Sequence, residues 1–237
     1  PLIFHTLKSV DSNVRSFQRE TALNAEIRVV ADAPDQETLA SIRYALDVLK
    51  PDNVTVDVVD FRDLGLSRNF GVSKAIGKYI SFIDADDIWG STWLTHVHAA
   101  AESDLSSSIW HPELNYYFGY SLSSETSTIT RHISSDSELF DPYTLFTDNY
   151  WTSACFGNKE LFVSVPYRPV SRSGRIGYED WGFNREVLVR GIQHKVAERT
   201  VHFIRNKPSG SMRNDHTAFR AVPYPVDMRS LLMEKTD

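Results

Sequence analysis

Residues 65–89 constrain the fold of this chain more than any other part of the sequence. They read GLSRNFGVSKAIGKYISFIDADDIW, in which a glycine-flanked turn leads into a short helix and then into an apolar strand at 79–83. The strand ends abruptly in three acidic residues, Asp84, Asp86 and Asp87. Like charges repel strongly at the end of a buried strand, and a divalent cation would supply the missing positive charge. Hard oxygen ligands suit Mg²⁺ or Mn²⁺, so phosphate chemistry is the first expectation.

Helix and strand patterns alternate along the first part of the chain. Apolar residues recur at helical spacing over 3–17 and 39–49, and short apolar or β-branched runs indicate strands at 25–30, 54–61 and 79–83. Strands that alternate with helices pair in parallel, so the sequence predicts an α/β fold with a mostly parallel, doubly wound sheet. Ligands of such sheets bind beyond the carboxyl ends of the strands, where the acidic turn falls.

Composition excludes several classes of protein. A chain of 237 residues suits one large domain, and its formal net charge of −6 argues against a nucleic-acid binder, which needs a basic face. Cys155 is the single cysteine, so an intrachain disulfide is excluded and a reducing compartment is favoured. No apolar run approaches the roughly 20 residues of a membrane-spanning helix. We therefore expect a cytoplasmic protein, which could work at the cytoplasmic face of a membrane.

Three motifs follow one another along the chain: SRNFGVSKAIGKYISFIDADD, YEDWGFNREV and GSMR. In this order they resemble the family 2 glycosyltransferases of the GT-A fold, and the resemblance covers most of the sequence. It implies a GT-A domain at 1–215, with a nucleotide-sugar-binding half at 1–104. The acceptor-binding half, 105–215, would contain a smaller antiparallel part of the sheet. Residues 216–237 would form a C-terminal tail.

The acidic turn has two readings. From the residues alone, a solvated Asp-rich turn is as good an interpretation as a metal site. The resemblance implies a D-x-D motif in which Asp86 binds Mg²⁺ or Mn²⁺ on the diphosphate of the donor. Asp84 would contact the ribose or reach the metal through water, and Asp87 would hold the turn. His216 is a candidate ligand too, although simple exposure is the commoner state of a lone histidine in a loop.

Other residues are predicted to bind the donor. The guanidinium of Arg68 could hydrogen-bond a base or a phosphate, and Arg213 is the preferred contact for the diphosphate. In the resembled family the strand before Asp32 ends in two aspartates, one of which binds uracil. Here Ala31 replaces the first, so the identity of the nucleotide is open. Asp35 could compensate, although a turn or helix-cap role explains it better.

The YEDW run at 178–181 is predicted to serve the acceptor. An acid at a helix start is ordinarily a partner of the helix dipole. The resemblance implies a sharper role: Asp180 as the general base that takes the proton of an acceptor hydroxyl as it attacks the anomeric carbon, with inversion of configuration. Glu179 would support Asp180 or bind an acceptor hydroxyl. Trp181 could stack on a sugar, with a core position as the equal alternative.

One departure from the family leaves the function partly open. The family begins with an apolar strand that lies mid-sheet, and no such strand precedes Leu2, so unpaired backbone groups and an exposed apolar face are expected. Either the chain belongs to a longer protein or another segment fills the gap. The leading prediction is transfer of a sugar, from a UDP-sugar by preference, to a saccharide or lipid-linked acceptor in polysaccharide synthesis. A catalytically inactive binding domain is the alternative, and nucleotidyl transfer ranks third.

Overall fold

The computed structural model describes residues 2–119, 127–207 and 216–233. Helices occur at α1 (Leu2–Thr21), α2 (Gln36–Leu49), α3 (Leu64–Lys74), α4 (Trp93–Ser103), α5 (Lys159–Ser164), α6 (Glu179–Val189) and α7 (Arg229–Met233), with a 3₁₀ helix at Pro142–Phe146. Strands occur at β1 (Ile27–Asp32), β2 (Val54–Val59), β3 (Tyr79–Ser81), β4 (Ile88–Trp89), β5 (Ile109–Phe118), β6 (Thr128–Arg131), β7 (Phe156–Asn158) and β8 (His194–Arg205). Within these ranges no helix has both the length and the apolar character needed to cross a bilayer.

The first core forms around α1. This helix buries Leu7, Val10, Val14 and Phe17 along one face, which confirms the amphipathic helix predicted over 3–17. The parallel strands β1 and β2 and helix α2 contribute to the same core. Helix α2 begins at Asp35, whose carboxylate accepts a hydrogen bond of 2.7 Å from the backbone of Thr38, so the helix-cap role is the one observed.

The second sheet has the strand order β3-β7-β5-β8-β4, with β6 paired to β5. The α/β class is confirmed, but parallel pairing is limited among the described strands to β1–β2 and β5–β8. Strand β3 pairs antiparallel with β7, and β4 pairs antiparallel with β8. Strand β7 lies between β3 and β5 and runs opposite to β3. This is why antiparallel pairing is more extensive than the alternation of helices and strands predicts.

A gap separates the two sheets. Strand β1 pairs only with β2 and β3 pairs only with β7 among the described residues, so each has one edge without a strand partner. Residues 27–30 and 79–83 line the same cavity, together with apolar residues of α1. This is the arrangement expected where a central strand is absent. Backbone N–H and C=O groups on the two facing edges are left for another extended segment or for water.

Helix α3 begins at Leu64, before Arg68 and Asn69, which the sequence places in a turn that precedes the helix. Asp63 caps it by accepting a hydrogen bond of 2.9 Å from the backbone of Leu66, and Arg68 and Asn69 therefore lie inside the helix. Gly65 allows close packing, because a Cβ there would lie only 3.0 Å from the carbonyl oxygen of Arg168. The glycine signal is thus one of close approach between elements and not of a turn.

The backbone just before α6 adopts an unusual conformation at Tyr178. Tyr178 has a φ of 52°, in the left-handed region, and its N–H donates a hydrogen bond of 3.0 Å to Nδ1 of His216. Gly177 allows this approach, because a Cβ there would lie 2.9 Å from the His216 ring. His216 is consequently buried and not exposed, and Met228 joins a core with Trp151.

Candidate active site

A cavity of about 1600 Å³ runs from the gap between the sheets to the start of α6. The acidic turn after β3 and the first turn of α6 both line it, although they come from distant parts of the sequence. The structure therefore brings together Asp84 and Asp86, predicted for the donor, and Glu179 and Asp180, predicted for the acceptor. Arg68 lies between the two groups.

Arg68 joins the two acidic segments directly. Its Nη2 lies 2.9 Å from Oδ1 of Asp84, and its Nη1 lies 2.8 Å from Oε1 of Glu179. The side chain is only 5% exposed, and although burial by itself would lower its pKa, the charges of Asp84 and Glu179 hold that pKa well above the ordinary value. Both terminal nitrogens are therefore committed within the protein, and this guanidinium fixes the distance between the two acidic segments.

Each carboxylate of the acidic turn has a basic partner. Oδ2 of Asp84 also accepts a hydrogen bond of 3.0 Å from Ser153. Burial would raise the pKa of Asp84, but Arg68 and Ser153 keep it below its ordinary value. Asp87 lies 3.1 Å from Nε2 of His202, and burial raises its pKa although His202 opposes this shift. Asp86 pairs with Lys207, whose Nζ lies 2.6 Å from Oδ2.

Asp180 has a different environment. Its Oδ1 accepts a hydrogen bond of 2.8 Å from the backbone of Trp181, and its Oδ2 lies 3.5 Å from Nδ2 of Asn149. Among the described residues no lysine or arginine forms an ion pair with it. Burial, reinforced by the charge of Glu179 and only partly opposed by Arg68, raises the pKa of Asp180 to about 7. Such a carboxylate can exchange a proton near neutral pH.

Aromatic and histidine side chains line the cavity together with Asp180. Trp181 lines the cavity and donates a hydrogen bond of 3.0 Å from Nε1 to the carbonyl of Leu145. Its ring lies 5.9 Å from that of Tyr178 in an edge-to-face arrangement. His216 also lines the cavity beside Tyr178. The Leu145 carbonyl and the Tyr178 ring thus fix the position of the indole. The stacking of Trp181 on a sugar stays a prediction.

Asp32, a predicted donor contact, is not brought into this group. Asp32 does not line the cavity, and its carboxylate accepts four hydrogen bonds of 2.8–2.9 Å, from the backbone of residues 61–63 and from the Ser67 hydroxyl. It fixes the loop that leads into α3, and the contact with uracil stays a prediction. Arg213 lies outside the described residues, so its predicted role is untouched.

Sequence reasoning misses the partners that complete the site. Ser153 and Asn149 occur in a segment with no recognisable motif, and the strand pattern around His202 predicts only a structural role for it. Lys207 stands two residues beyond the end of β8. A signal exists only for Lys207, because a cation just after a strand at the ligand-binding edge of a sheet is placed to meet the acidic turn.

The residues present fit a divalent cation of the Mg²⁺ type. Mg²⁺ is commonly held by one or two carboxylates together with substrate phosphates and water. Asp86 offers such a carboxylate in the cavity, whereas both oxygens of Asp84 already have partners. No group of three His, Cys, Asp or Glu residues in the described ranges forms a complete ligand set. The site therefore suits an ion that a bound diphosphate helps to hold.

Comparison with known proteins places this geometry in context. The family model for "Glycosyl transferase family 2" matches residues 3–155. No curated protein matches the sequence. Solved structures do match. One is that of Staphylococcus aureus TarS 1–349 in complex with UDP-GlcNAc, with a TM-score of 0.64 and 15% identity over 89% of this chain and 56% of that chain.

Two other solved structures carry Mn²⁺. The mannosyltransferase PcManGT from Pyrobaculum calidifontis, in complex with GDP-Man and Mn²⁺, matches with a TM-score of 0.63 and 15% identity over 98% of this chain and 64% of that chain. GalNAc-T7 with UDP, GalNAc and Mn²⁺ matches with a TM-score of 0.62 and 14% identity over 96% of this chain and 50% of that chain. At these identities the likeness shows the fold alone and confirms that it is GT-A. The chain spans about half to two thirds of each structure.

Proposed function

Because the chain belongs to glycosyl transferase family 2, we propose that it is an inverting, metal-dependent glycosyltransferase. It moves a sugar from a nucleoside-diphosphate donor, a UDP-sugar by preference, to a hydroxyl of a saccharide or glycoconjugate acceptor. The observation that carries the proposal is the Arg68 bridge between Asp84 and Glu179 in one cavity. It holds a donor-side acidic turn and an acceptor-side acid at a fixed separation, as a transfer between two substrates requires.

The donor side consists of the acidic turn and the residues that neutralise it. Asp86 would hold Mg²⁺ or Mn²⁺, and Asp84, oriented by Arg68 and Ser153, would face the ribose or the waters around the ion. When bound, such a cation neutralises the charge of the departing diphosphate as a Lewis acid. The Mn²⁺ in PcManGT and GalNAc-T7 supports a divalent cation, and the UDP-GlcNAc bound to TarS supports a uridine nucleotide. Arg213 is proposed as a further contact with the diphosphate.

The acceptor side centres on Asp180. In the proposal its carboxylate takes the proton of an acceptor hydroxyl while the hydroxyl oxygen attacks the anomeric carbon opposite the leaving diphosphate. A pKa of about 7 suits this role, because the group is largely ionised just above neutral pH and still basic enough to accept a proton. Glu179, held by Arg68, keeps the first turn of α6 in place, and Trp181 supplies an apolar face for a sugar ring.

The test is turnover of a panel of sugar nucleotides with Mn²⁺ or Mg²⁺, read as release of nucleoside diphosphate. We expect turnover of at least one UDP-sugar, loss of it with chelator, and its recovery when the cation is restored. The surface variant Asp47→Asn, in the exposed part of α2, serves as the control and should behave as the wild type. Absence of turnover and of cation-dependent nucleotide binding across the whole panel would contradict the proposal.

The gap between the sheets favours one alternative, a GT-A domain that binds a saccharide or protein partner without catalysis. Among the described residues, β1 and β3 each have one edge without a strand partner, and these edges lie along the same cavity as the acidic turn. Calorimetry with UDP and Mn²⁺ separates the two functions. The enzyme binds the nucleotide more tightly with the cation, whereas a binding module shows no such dependence.

The wider role is proposed on chemical grounds alone. A family 2 glycosyltransferase that adds sugars to a saccharide or lipid-linked acceptor suits polysaccharide synthesis. The single cysteine, Cys155, favours a reducing compartment, and we therefore place the reaction in the cytoplasm or at the cytoplasmic face of a membrane. Product analysis with a defined donor, which identifies the acceptor and the linkage, tests this assignment.

A further inference from the structure

Lys207 occupies the position on Asp86 where the proposed function requires a metal ion. Its Nζ lies 2.6 Å from Oδ2 of Asp86, and both side chains line the cavity. We propose that Lys207 is an internal counter-ion that a divalent cation must displace, so that the cation binds weakly alone and strongly with a nucleoside diphosphate. The inference rests on the proposed function and deepens it by assigning a residue that controls entry of the cation.

The position of Lys207 is built into the end of β8. The backbone N–H of Arg205 donates a hydrogen bond of 3.0 Å to Oδ1 of Asp87, and that of Asn206 donates one of 2.7 Å to the carbonyl of Phe118. His202, on the same strand, contacts the other oxygen of Asp87. The acidic turn and the strand end are therefore fastened to each other through Asp87. Lys207, which follows Asn206, is therefore held beside Asp86 by the backbone contacts of the strand end.

The basic partners in the turn differ in how easily they can leave. Arg68 is 5% exposed and bound to two carboxylates, and the side chain of His202 is 1% exposed. Lys207 is 28% exposed, and among the described residues Asp86 is the one acid with which it forms an ion pair. A lysine is a flexible point charge with little directional preference, so it can move aside at small cost. Of the three carboxylates in the turn, that of Asp86 is the one that can be released.

The charges at Asp86 make binding of the cation depend on the nucleotide. A divalent ion that approaches Asp86 must replace the ammonium and also overcome its repulsion, which weakens binding of the ion alone. A diphosphate brings negative charge into the same cavity and gives the displaced ammonium a new partner. Cation and nucleotide should then bind cooperatively, and by linkage each strengthens the other by the same factor.

The experiment measures Mn²⁺ binding without nucleotide, from the electron paramagnetic resonance signal of the free ion. It compares the wild type with Lys207→Gln and Lys207→Arg. The matched control is Lys195→Gln, near the start of β8, where the ammonium lies 3.0 Å from Asp104 and away from the acidic turn. Adding Asp86→Asn to the Lys207→Gln protein identifies the ligand. Repeating each titration with saturating UDP gives the cooperativity.

The expected result is Mn²⁺ affinity about fivefold higher in Lys207→Gln, since the competing ion pair is partly exposed and of modest strength. The cooperativity with UDP should fall by a similar factor. Lys207→Arg and Lys195→Gln should match the wild type within about twofold, and Asp86→Asn should abolish the gain. Unchanged or weaker affinity in Lys207→Gln, a gain that survives Asp86→Asn, or no Mn²⁺ binding by any variant would overturn the inference.

Failure of the proposed function gives a different pattern. If Lys207→Gln gains Mn²⁺ affinity through Asp86 while no sugar nucleotide is consumed, the counter-ion role stands and the transferase activity falls. If sugar nucleotide is consumed and Mn²⁺ affinity does not respond to Lys207, the transferase stands and the counter-ion role falls. Unfolding midpoints of all variants, measured in parallel, show that each protein is folded during the titrations.

Discussion

The two acidic segments of the cavity differ in how their charge is balanced. In the turn after β3, Asp84, Asp86 and Asp87 face Arg68, Lys207 and His202, one basic side chain for each carboxylate. At the start of α6, Glu179 shares Arg68 with Asp84, and among the described residues Asp180 has no ion-pair partner. Basic side chains thus lie beside each carboxylate of the turn, whereas the charge of Asp180 is only partly offset by Arg68.

This difference separates the two chemical roles. Acids held ionised by cations are suited to electrostatic work on a cation and a diphosphate, and Asp84 accordingly has a lowered pKa. An acid with no ion-pair partner among the described residues, and with a second acid beside it, is suited to proton transfer, and burial together with the charge of Glu179 raises the pKa of Asp180 to about 7. A divalent cation is expected to add positive charge to the turn, and Arg68 and Lys207 supply part of that charge within the protein.

The largest expected effect comes from removing the carboxylate of Asp180. Asp180→Asn should lower turnover of sugar nucleotide by about 10²–10⁴-fold, because an amide cannot accept the proton of the attacking hydroxyl. The measurement is release of nucleoside diphosphate at saturating donor, with Asp47→Asn as the control. Full activity in Asp180→Asn would show that Asp180 is not the general base, and the proposed difference in role between the two segments would be wrong.

Next in size is the effect of removing the link between the segments. Arg68→Met should destabilise the protein by about 3–5 kcal/mol, because it leaves the buried carboxylate of Glu179 and the partly exposed one of Asp84 without their cation. Denaturant unfolding measures the change. The double variant Arg68→Met with Glu179→Gln should recover part of the loss, and a loss that is identical in single and double variants would show that no such link exists.

The pH dependence of catalysis sharpens the contrast. Asp180 acts as a base only when ionised, so kcat/KM should fall as the pH drops below its pKa of about 7, approaching tenfold per pH unit. The donor-side acid Asp84, with its lowered pKa, should contribute nothing in this range. Profiles of kcat/KM from about pH 5.5 to about pH 9 test this, and a flat profile would assign the proton transfer elsewhere.

The smallest effect concerns stability: Asp180→Asn, which should lower activity, should make the folded protein more stable. The pKa of Asp180 is raised from 3.8 to about 7 on folding, so its ionisation opposes folding: the burden is absent below pH 3.8, grows up to about pH 7 and is constant above. Asp180→Asn should therefore raise the unfolding midpoint by a few degrees at about pH 8 and by less at about pH 5. An equal change at both pH values would show that Asp180 is not held in a raised-pKa environment.

Sequence patterns predict what is local in this molecule and miss what is long-range. Strand β3 with the acids that follow it, the amphipathic α1 and the cap at Asp35 depend on neighbouring residues, and periodicity and capping rules predict them. The Arg68–Glu179 pair joins residues 111 positions apart, and only the packing of α3 against α6 brings them together. The same holds for Lys207 and Asp86, which meet because Asp87 and the pairing of β4 with β8 hold the end of β8 beside the turn.

The helix around Arg68 shows a second limit. Glycines there predict a turn, but two of them, Gly65 and Gly71, lie inside α3. Glycine occurs both where the backbone needs a positive φ and where a neighbouring element packs too closely for a side chain. The two cases look the same in a sequence, and only the tertiary contacts distinguish them. The side chain of Arg68 is for that reason predicted to point at a ligand, whereas the structure commits it to two acids.

The most direct test of this account is a calorimetric comparison of UDP binding with Mn²⁺ in two variants. Asp86→Asn should lose the enhancement of UDP binding by Mn²⁺, whereas Asp180→Asn should retain it within about twofold. That result would assign one acidic segment to the donor and leave the other for the acceptor. Loss of the enhancement in Asp180→Asn, or its survival in Asp86→Asn, would contradict the assignment.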